Sequence, residues 1–288
     1  MTILTAILSL GGLTLLLAIM LIIANKKLYV YEDPRIDQVE DMLPHANCGA
    51  CGFPGCRPFA EALVKEVVLP GKCTVSSEEG REKIASFLGV DLGLEDKRVA
   101  RLACAGGINV ARNKANYSGI ETCRAASLVS GGGKGCFWGC LGLADCERVC
   151  DFDAIQMNEF NIPVVDEDKC TACGDCVEIC PKDLFSLHSA TERLWVACKN
   201  LEQGDAVLED CEVGCTACGK CEMDAPGNLI KIIDNIPVID YSLNHQTRVP
   251  IERCPTGAIV WIDKEKGPQK GAESKKIIRK SSLDLGYS

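Results

Sequence analysis

Histidine is nearly missing from this chain. The three present, His45, His188 and His245, are scattered, and no C-x-x-C-H run occurs, which excludes covalent haem attachment. Positive charge is in deficit, with 31 Lys and Arg against 40 Asp and Glu. The net charge of −9 offers no basic groove for nucleic acid. Phosphate-loop chemistry is absent as well. Ser130-Gly-Gly-Gly-Lys-Gly135 lacks both the G-x-x-x-x-G-K-[ST] spacing and a Ser or Thr after its lysine, so it reads as a flexible lead-in to Cys136. There is no nucleophile with a paired base and no flavin-attachment sequence, hence no sign of a substrate pocket. A secretory signal is missing too, because the N-terminal apolar run is too long, carries no positive n-region and ends without an A-x-A-like site.

What is present is cysteine, twenty in 288 residues. That length allows one to three domains with a real core. A disulfide-built secreted protein would be smaller and carry a signal, so these thiols are expected to be reduced and bound to metal.

The stretch 136–181 carries two interlocked ligand sets. Cys170-Thr-Ala-Cys173-Gly-Asp-Cys176-Val-Glu-Ile-Cys180-Pro181 is the bacterial ferredoxin run C-x-x-C-x-x-C-x-x-x-C-P, whose fourth cysteine serves the neighbouring [4Fe–4S] cluster. Upstream stand Cys136, Cys140, Cys146 and Cys150. The ferredoxin spacing wants a cysteine at 143, where the chain has Leu143, so Cys136 is the expected substitute. One cluster is therefore assigned to Cys136, Cys140, Cys146 and Cys180, and a second to Cys150, Cys170, Cys173 and Cys176. Asp151 replaces the usual proline without removing a ligand. Zinc is the competing reading, but its structural sites present two separated C-x-x-C pairs, and triplets at two-residue intervals suit a cubane better.

Asn47-Cys48-Gly-Ala-Cys51-Gly-Phe-Pro-Gly-Cys56, with Cys73 after an apparent helix, reads as a separate [4Fe–4S] site. Its spacing alone is more generic, and zinc weighs more here. A membrane helix followed by N-C-G-A-C-G-F-P-G-C, a later cysteine and ferredoxin repeats resembles the B-subunit family of Rnf complexes. The resemblance covers most of the chain. It implies an electron-entry subunit that takes electrons from reduced ferredoxin, in a complex coupling ferredoxin:NAD chemistry to sodium or proton transport, with flavin, nicotinamide and ion sites on other subunits. A polyferredoxin-type subunit of a membrane-bound hydrogenase or dehydrogenase, without ion coupling, is the alternative.

A third unit, 194–263, repeats the organisation and is half erased. Cys215, Cys218, Cys221 and Cys254 survive as one cluster's ligands, while Ala225, Asn244, Thr247 and Pro250 occupy all four places of the other. Four clusters on sixteen cysteines are expected. Cys104, Cys123, Cys198 and Cys211 remain, either as a fifth cluster or as buried structural thiols.

The expected fold is α+β, beginning with a transmembrane anchor over 1–26. Ile3 to Ala24 would span about 33 Å as a helix against a hydrocarbon core of roughly 30 Å. Lys26, Lys27 and Arg35 place everything downstream in the cytoplasm, on a single-pass chain in the inner membrane. A small helical four-cysteine module over 33–92 follows. Next come a ferredoxin-like domain with two clusters over 98–190 and a degenerate one with one cluster over 191–263. A disordered basic tail, 264–288, closes the chain.

Overall fold

The structure is a computed structural model that describes residues 2–28, 32–93 and 96–277 of the 288. Its first helix, α1 (Thr2–Leu28), follows from an uncharged apolar run that ends in Lys26 and Lys27, cations suited to the helix C-terminus. Within Ile7–Leu28 an 18-residue window has a mean hydropathy of 2.7, and none of that window is buried in the protein. This is the one described helix long and apolar enough to cross a bilayer. Leu8, Leu15 and Ile22 are about two-thirds exposed, a surface that water penalises and hydrocarbon does not.

A small helical unit comes next, built from α2 (Arg35–Met42), α3 (Cys56–Val64), a short 3₁₀ turn at Pro70–Lys72 and α4 (Glu78–Leu88). Ile36 and Val39 on α2, Phe59 and Leu63 on α3 and Ile84 on α4 recur at helical spacing and are buried together. Each such side chain contributes about 1.5–3 kcal/mol by burial. Arg57 ties α3 to α2 through Asp37 at 2.9 Å and Glu40 at 2.6 Å. Ser77 caps α4 by accepting from the Gly80 amide at 3.1 Å, and Gly89 ends it at φ +70°. The expected α-helical module is therefore present as helices.

The remaining chain alternates very short elements. Residues 98–190 contain β1 (Arg98–Leu102), α5 (Cys123–Ser127), α6 (Asp145–Arg148), β2 (Ile155–Met157), β3 (Pro163–Val165), α7 (Asp175–Ile179) and β4 (Phe185–Ser189). Strands β2 and β3 form a hairpin, and β1 pairs antiparallel with the distant β4, Ala100 opposite Leu187. The next unit repeats this plan with β5 (Leu194–Val196), α8 (Ala206–Asp210), α9 (Lys220–Asp224), the hairpin of β6 (Ile230–Ile233) and β7 (Ile236–Ile239), then α10 (Val249–Glu252) and β8 (Ile259–Asp263). Here β5 pairs with β8 as β1 does with β4.

The two units are stitched along one seam. The Ala105 amide donates to the Ala197 carbonyl at 3.1 Å, the Trp195 indole donates to the Leu102 carbonyl at 2.8 Å, and the Glu212 amide donates to the Val110 carbonyl at 3.0 Å.

The expected disordered tail is corrected over its described part. Residues Gly267–Gln269 form β9 on the edge of β8, Gly271 is buried against α10, and the Lys275 amide donates to the Pro255 carbonyl at 3.0 Å. Polar side chains do not prevent this order, because the backbone supplies the pairing. Residues 278–288 of the expected tail lie outside the described residues.

Candidate metal centres

In the helical module, Cys48, Cys51, Cys56 and Cys73 line one cavity. Gly49 and Gly52, at φ +72° and +83°, let the chain turn between thiols where a side chain would be strained. Cys56 opens α3, and its amide is held by the Asn47 side chain at 2.8 Å, which explains the asparagine before the first cysteine. Burial raises the Cys51 thiol's pKa, and repulsion from Cys73 and Cys48 adds to it against the hydrogen bond at Phe53.

The second cavity holds Cys150, Cys170, Cys173 and Cys176, the set expected from the ferredoxin run. Its turn runs through Ala172 at φ +58° and Gly174 at φ +100° before α7 lifts Cys176 inward. Backbone amides point at the sulfurs, Ala100 donating to Cys170 Sγ and Ala154 to Cys150 Sγ, both at 3.4 Å. Burial pushes the Cys176 thiol up to about 12, with Cys170, Cys173 and Cys150 repelling it further.

A third cavity is lined by Cys215, Cys218, Cys221 and Cys254, again as expected. Its run, Thr-Ala-Cys-Gly, repeats the previous one, with Ala217 at φ +52° and Gly219 at φ +75°. Cys218 is the one described cysteine classed as exposed.

The remaining grouping differs from expectation. Cys136 does not join Cys140, Cys146 and Cys180. It lines a cavity with Cys104, Cys198 and Cys211, on the seam between the two units. Burial takes the Cys136 thiol to about 11, with Cys104 and Cys198 the next causes, and the Cys211 thiol to about 12, with repulsion from Cys104, Cys198 and Cys136. Amides again aim at sulfur, Gly106 and Cys140 donating to Cys104 Sγ at 3.4 Å and Cys215 donating to Cys198 Sγ at 3.3 Å. Lys134 donates to the carbonyls of Gly106 and Cys140 in the same wall.

Cys123 takes the place expected of Cys136. At the start of α5, it neighbours Cys146, Cys180 and Cys140. Burial takes the thiols of Cys146 and Cys140 to about 12, with Cys123 and Cys180 repelling the first and Cys104 and Cys123 the second. The reason is the path of the chain. The Gly135 amide bonds to the Arg112 carbonyl, itself beside Asp210, and this pulls Cys136 to the seam. The Arg124 amide bonds to Asp145 at 3.1 Å, which draws Cys123 to α6.

The four cavities are of nearly one size. Among the described residues no three Cys, His, Asp or Glu side chains converge on a point as a single ion needs. A tetrahedral zinc holds four sulfurs about 2.3 Å from itself, whereas thiols spread over a cavity wall, with amides aimed at their sulfurs, suit a larger iron–sulfur guest.

Comparison with known proteins points the same way. Residues 43–75 match the family described as putative Fe-S cluster, and residues 143–191 match the LdpA Fe-S cluster-binding domain. The chain is 39% identical over 250 residues, 87% of its length and 75% of the relative's, to the B subunit of the Na(+)-translocating ferredoxin:NAD(+) oxidoreductase complex of Acetobacterium woodii. It is 35% identical, over 87% of its length and 95% of the relative's, to the B subunit of the ion-translocating oxidoreductase complex of Methanosarcina acetivorans. It is 36% identical, over 86% and 88%, to the B subunit of the proton-translocating ferredoxin:NAD(+) oxidoreductase complex of Clostridium ljungdahlii.

Proposed function

Since the chain belongs to the family of B subunits of Rnf-type ion-translocating oxidoreductase complexes, we propose that all twenty of its cysteines hold five [4Fe–4S] clusters. As a member of that family it is an iron–sulfur electron-transfer subunit of an oxidoreductase complex, associated with the membrane. The sets are Cys48, Cys51, Cys56 and Cys73; Cys150, Cys170, Cys173 and Cys176; Cys123, Cys140, Cys146 and Cys180; Cys104, Cys136, Cys198 and Cys211; and Cys215, Cys218, Cys221 and Cys254. Bound there, such clusters take up and release single electrons at potentials within about −700 to +450 mV.

The chain's own residues do the rest. Thiolates hold each group, the amides of Ala100, Ala154, Gly106, Cys140 and Cys215 stabilise negative charge on sulfur, and apolar walls keep water out. Neighbouring sets are linked covalently. Cys176 and Cys180 flank one turn, Cys136 and Cys140 another, and Cys211 and Cys215 a third, so four sets follow one another in file. The partner at the entry end is soluble ferredoxin, and flavin, nicotinamide and ion sites lie on other subunits. Helix α1 crosses the membrane once, with Lys26 and Lys27 holding the cysteine-rich body on the cytoplasmic side.

The observation that carries this reading is that the leftover cysteines are not left over. Cys104, Cys198 and Cys211 line a cavity with Cys136, and Cys123 lies beside Cys146 and Cys180, which supports five groups of four. Anaerobic purification of the full chain followed by iron and sulfide analysis tests it. Five cubanes give about twenty of each per chain. About sixteen would remove the seam site, and a colourless, zinc-loaded protein would overturn the reading.

A further inference from the structure

We propose that Thr74 is a positioning residue that seats the membrane-side module on the body, so that electrons cross between them at its contact with Thr171. This rests on the electron-relay reading above and goes beyond it, because no cysteine spacing says where the module meets the rest.

The Thr74 hydroxyl donates to the Thr171 carbonyl at 2.6 Å, across 97 residues of sequence. It is the side-chain hydrogen bond that joins residues 32–93 to residues 96–277. Among the described residues no backbone hydrogen bond or ion pair does so beside it. Both partners are special by position. Thr74 follows Cys73 and lines the module's thiol cavity, while Thr171 follows Cys170 and lines the cavity of Cys150, Cys170, Cys173 and Cys176. The contact thus runs from the thiol of Cys73, through Thr74, one hydrogen bond and Thr171, to the thiol of Cys170.

Two further hydroxyls, Thr171 Oγ1 and Ser76 Oγ, are buried at the same segments without a protein partner. Apolar contact alone would have no use for three hydroxyls, since an unpaired buried one costs stability. They mark the contact between module and body as polar, where a weak bond fixes register and leaves the module's own core intact.

The step is a one-electron exchange. One set is oxidised by one electron and the other is reduced by one, with no bond made and no proton moved. Its rate falls steeply with separation, so whatever fixes the approach fixes the rate.

The experiment uses the full chain in detergent with its clusters in place, comparing wild type, Thr74→Val and Thr74→Ser. The body is reduced by a light-driven donor, and freeze-quench paramagnetic resonance follows the module's signal, identified by its loss in Cys48→Ser. In Thr74→Val, iron and sulfide stay at the wild-type content and the module's signal rises about fivefold more slowly, the factor carried by one neutral hydrogen bond. The spin–spin interaction between the two reduced sets weakens as well, and amide exchange at 171–173 quickens. Thr74→Ser restores all three. If the valine variant loses iron, Thr74→Ala, which adds no bulk, gives the same reading. A valine or alanine variant with wild-type transfer and spin interaction overturns the proposal. A preparation without clusters instead defeats the electron-relay reading, so the two failures are distinct.

Discussion

Cys123 opens α5 and Cys136 lies on the irregular stretch that follows, and the company each keeps decides its role. Cys136 faces Cys104 in its own unit and Cys198 across the seam, and Cys123 faces Cys146 and Cys180. Cys123→Ser and Cys136→Ser should therefore each remove about four of about twenty irons and abolish different paramagnetic signals. If Cys123→Ser keeps full iron, the assignment of Cys123 to the Cys140, Cys146 and Cys180 set fails. Gly106 offers a second test without touching a ligand. A Cβ there would lie 3.1 Å from Cys211 Sγ and 3.7 Å from Cys104 Sγ, so Gly106→Ala presses into the seam cavity. The expected cost is about 1–3 kcal/mol, with loss of the seam set's signal alone; a variant with full iron and unchanged melting would contradict it.

The signal for this was in the sequence, because Cys136-x-x-x-Cys140 and Cys211-x-x-x-Cys215 are equivalent. Once Cys211 is outside the Cys215 set, Cys136 should be outside the Cys140 set. Local spacing hid the answer, since Cys136 stands one short step from the gap at Leu143. A ligand that arrives from a remote loop, as Cys123 does, leaves no period to read.

At the scale of elements, the strand hairpins β2–β3 and β6–β7 were legible because alternating Ile, Val and Pro residues flank turn-formers at 158–161 and 234–235. Strand β9 was not. Gly, Lys and Ser composition suggests a solvated tail, while the pairing of β9 with β8 uses only backbone, and Gly271 is needed because α10 lies against it. A Cβ on Gly271 would collide with the Ile251 carbonyl and the Glu252 backbone. Helix α10 leads directly to Cys254. Gly271→Ala should therefore destabilise the body by about 1–3 kcal/mol and lower the occupancy of the Cys215, Cys218, Cys221 and Cys254 set, read by thermal melting and iron content. An unchanged melt would show that the segment beyond β8 contributes nothing to that site.

Taken whole, the body has little to hold it together except what its thiols hold. Its helices run to four or five residues and its strands to between three and five, far short of the roughly 12–15 residues at which an isolated helix becomes even marginal. Its apolar clusters are built around the cavities, one containing Cys215, Cys221 and Cys254 and another Cys146 and Cys176, with Cys150, Cys170 and Cys180 packed against it. Buried thiols such as Cys146 and Cys221, raised to about 12 by burial first and neighbouring thiols second, are protonated at neutral pH unless a metal takes the proton's place. Metal binding then releases protons, and its free energy becomes folding free energy. Removing iron with a chelator under reducing conditions should therefore collapse the near-ultraviolet circular dichroism of residues 96–277 and open the seam to protease. Helix α1, whose hydrogen bonds need no metal, should keep its far-ultraviolet signal in detergent. An iron-free, fully reduced chain that still melts cooperatively would mean that the short elements pack unaided, and the clusters would then be passengers in the fold instead of its core.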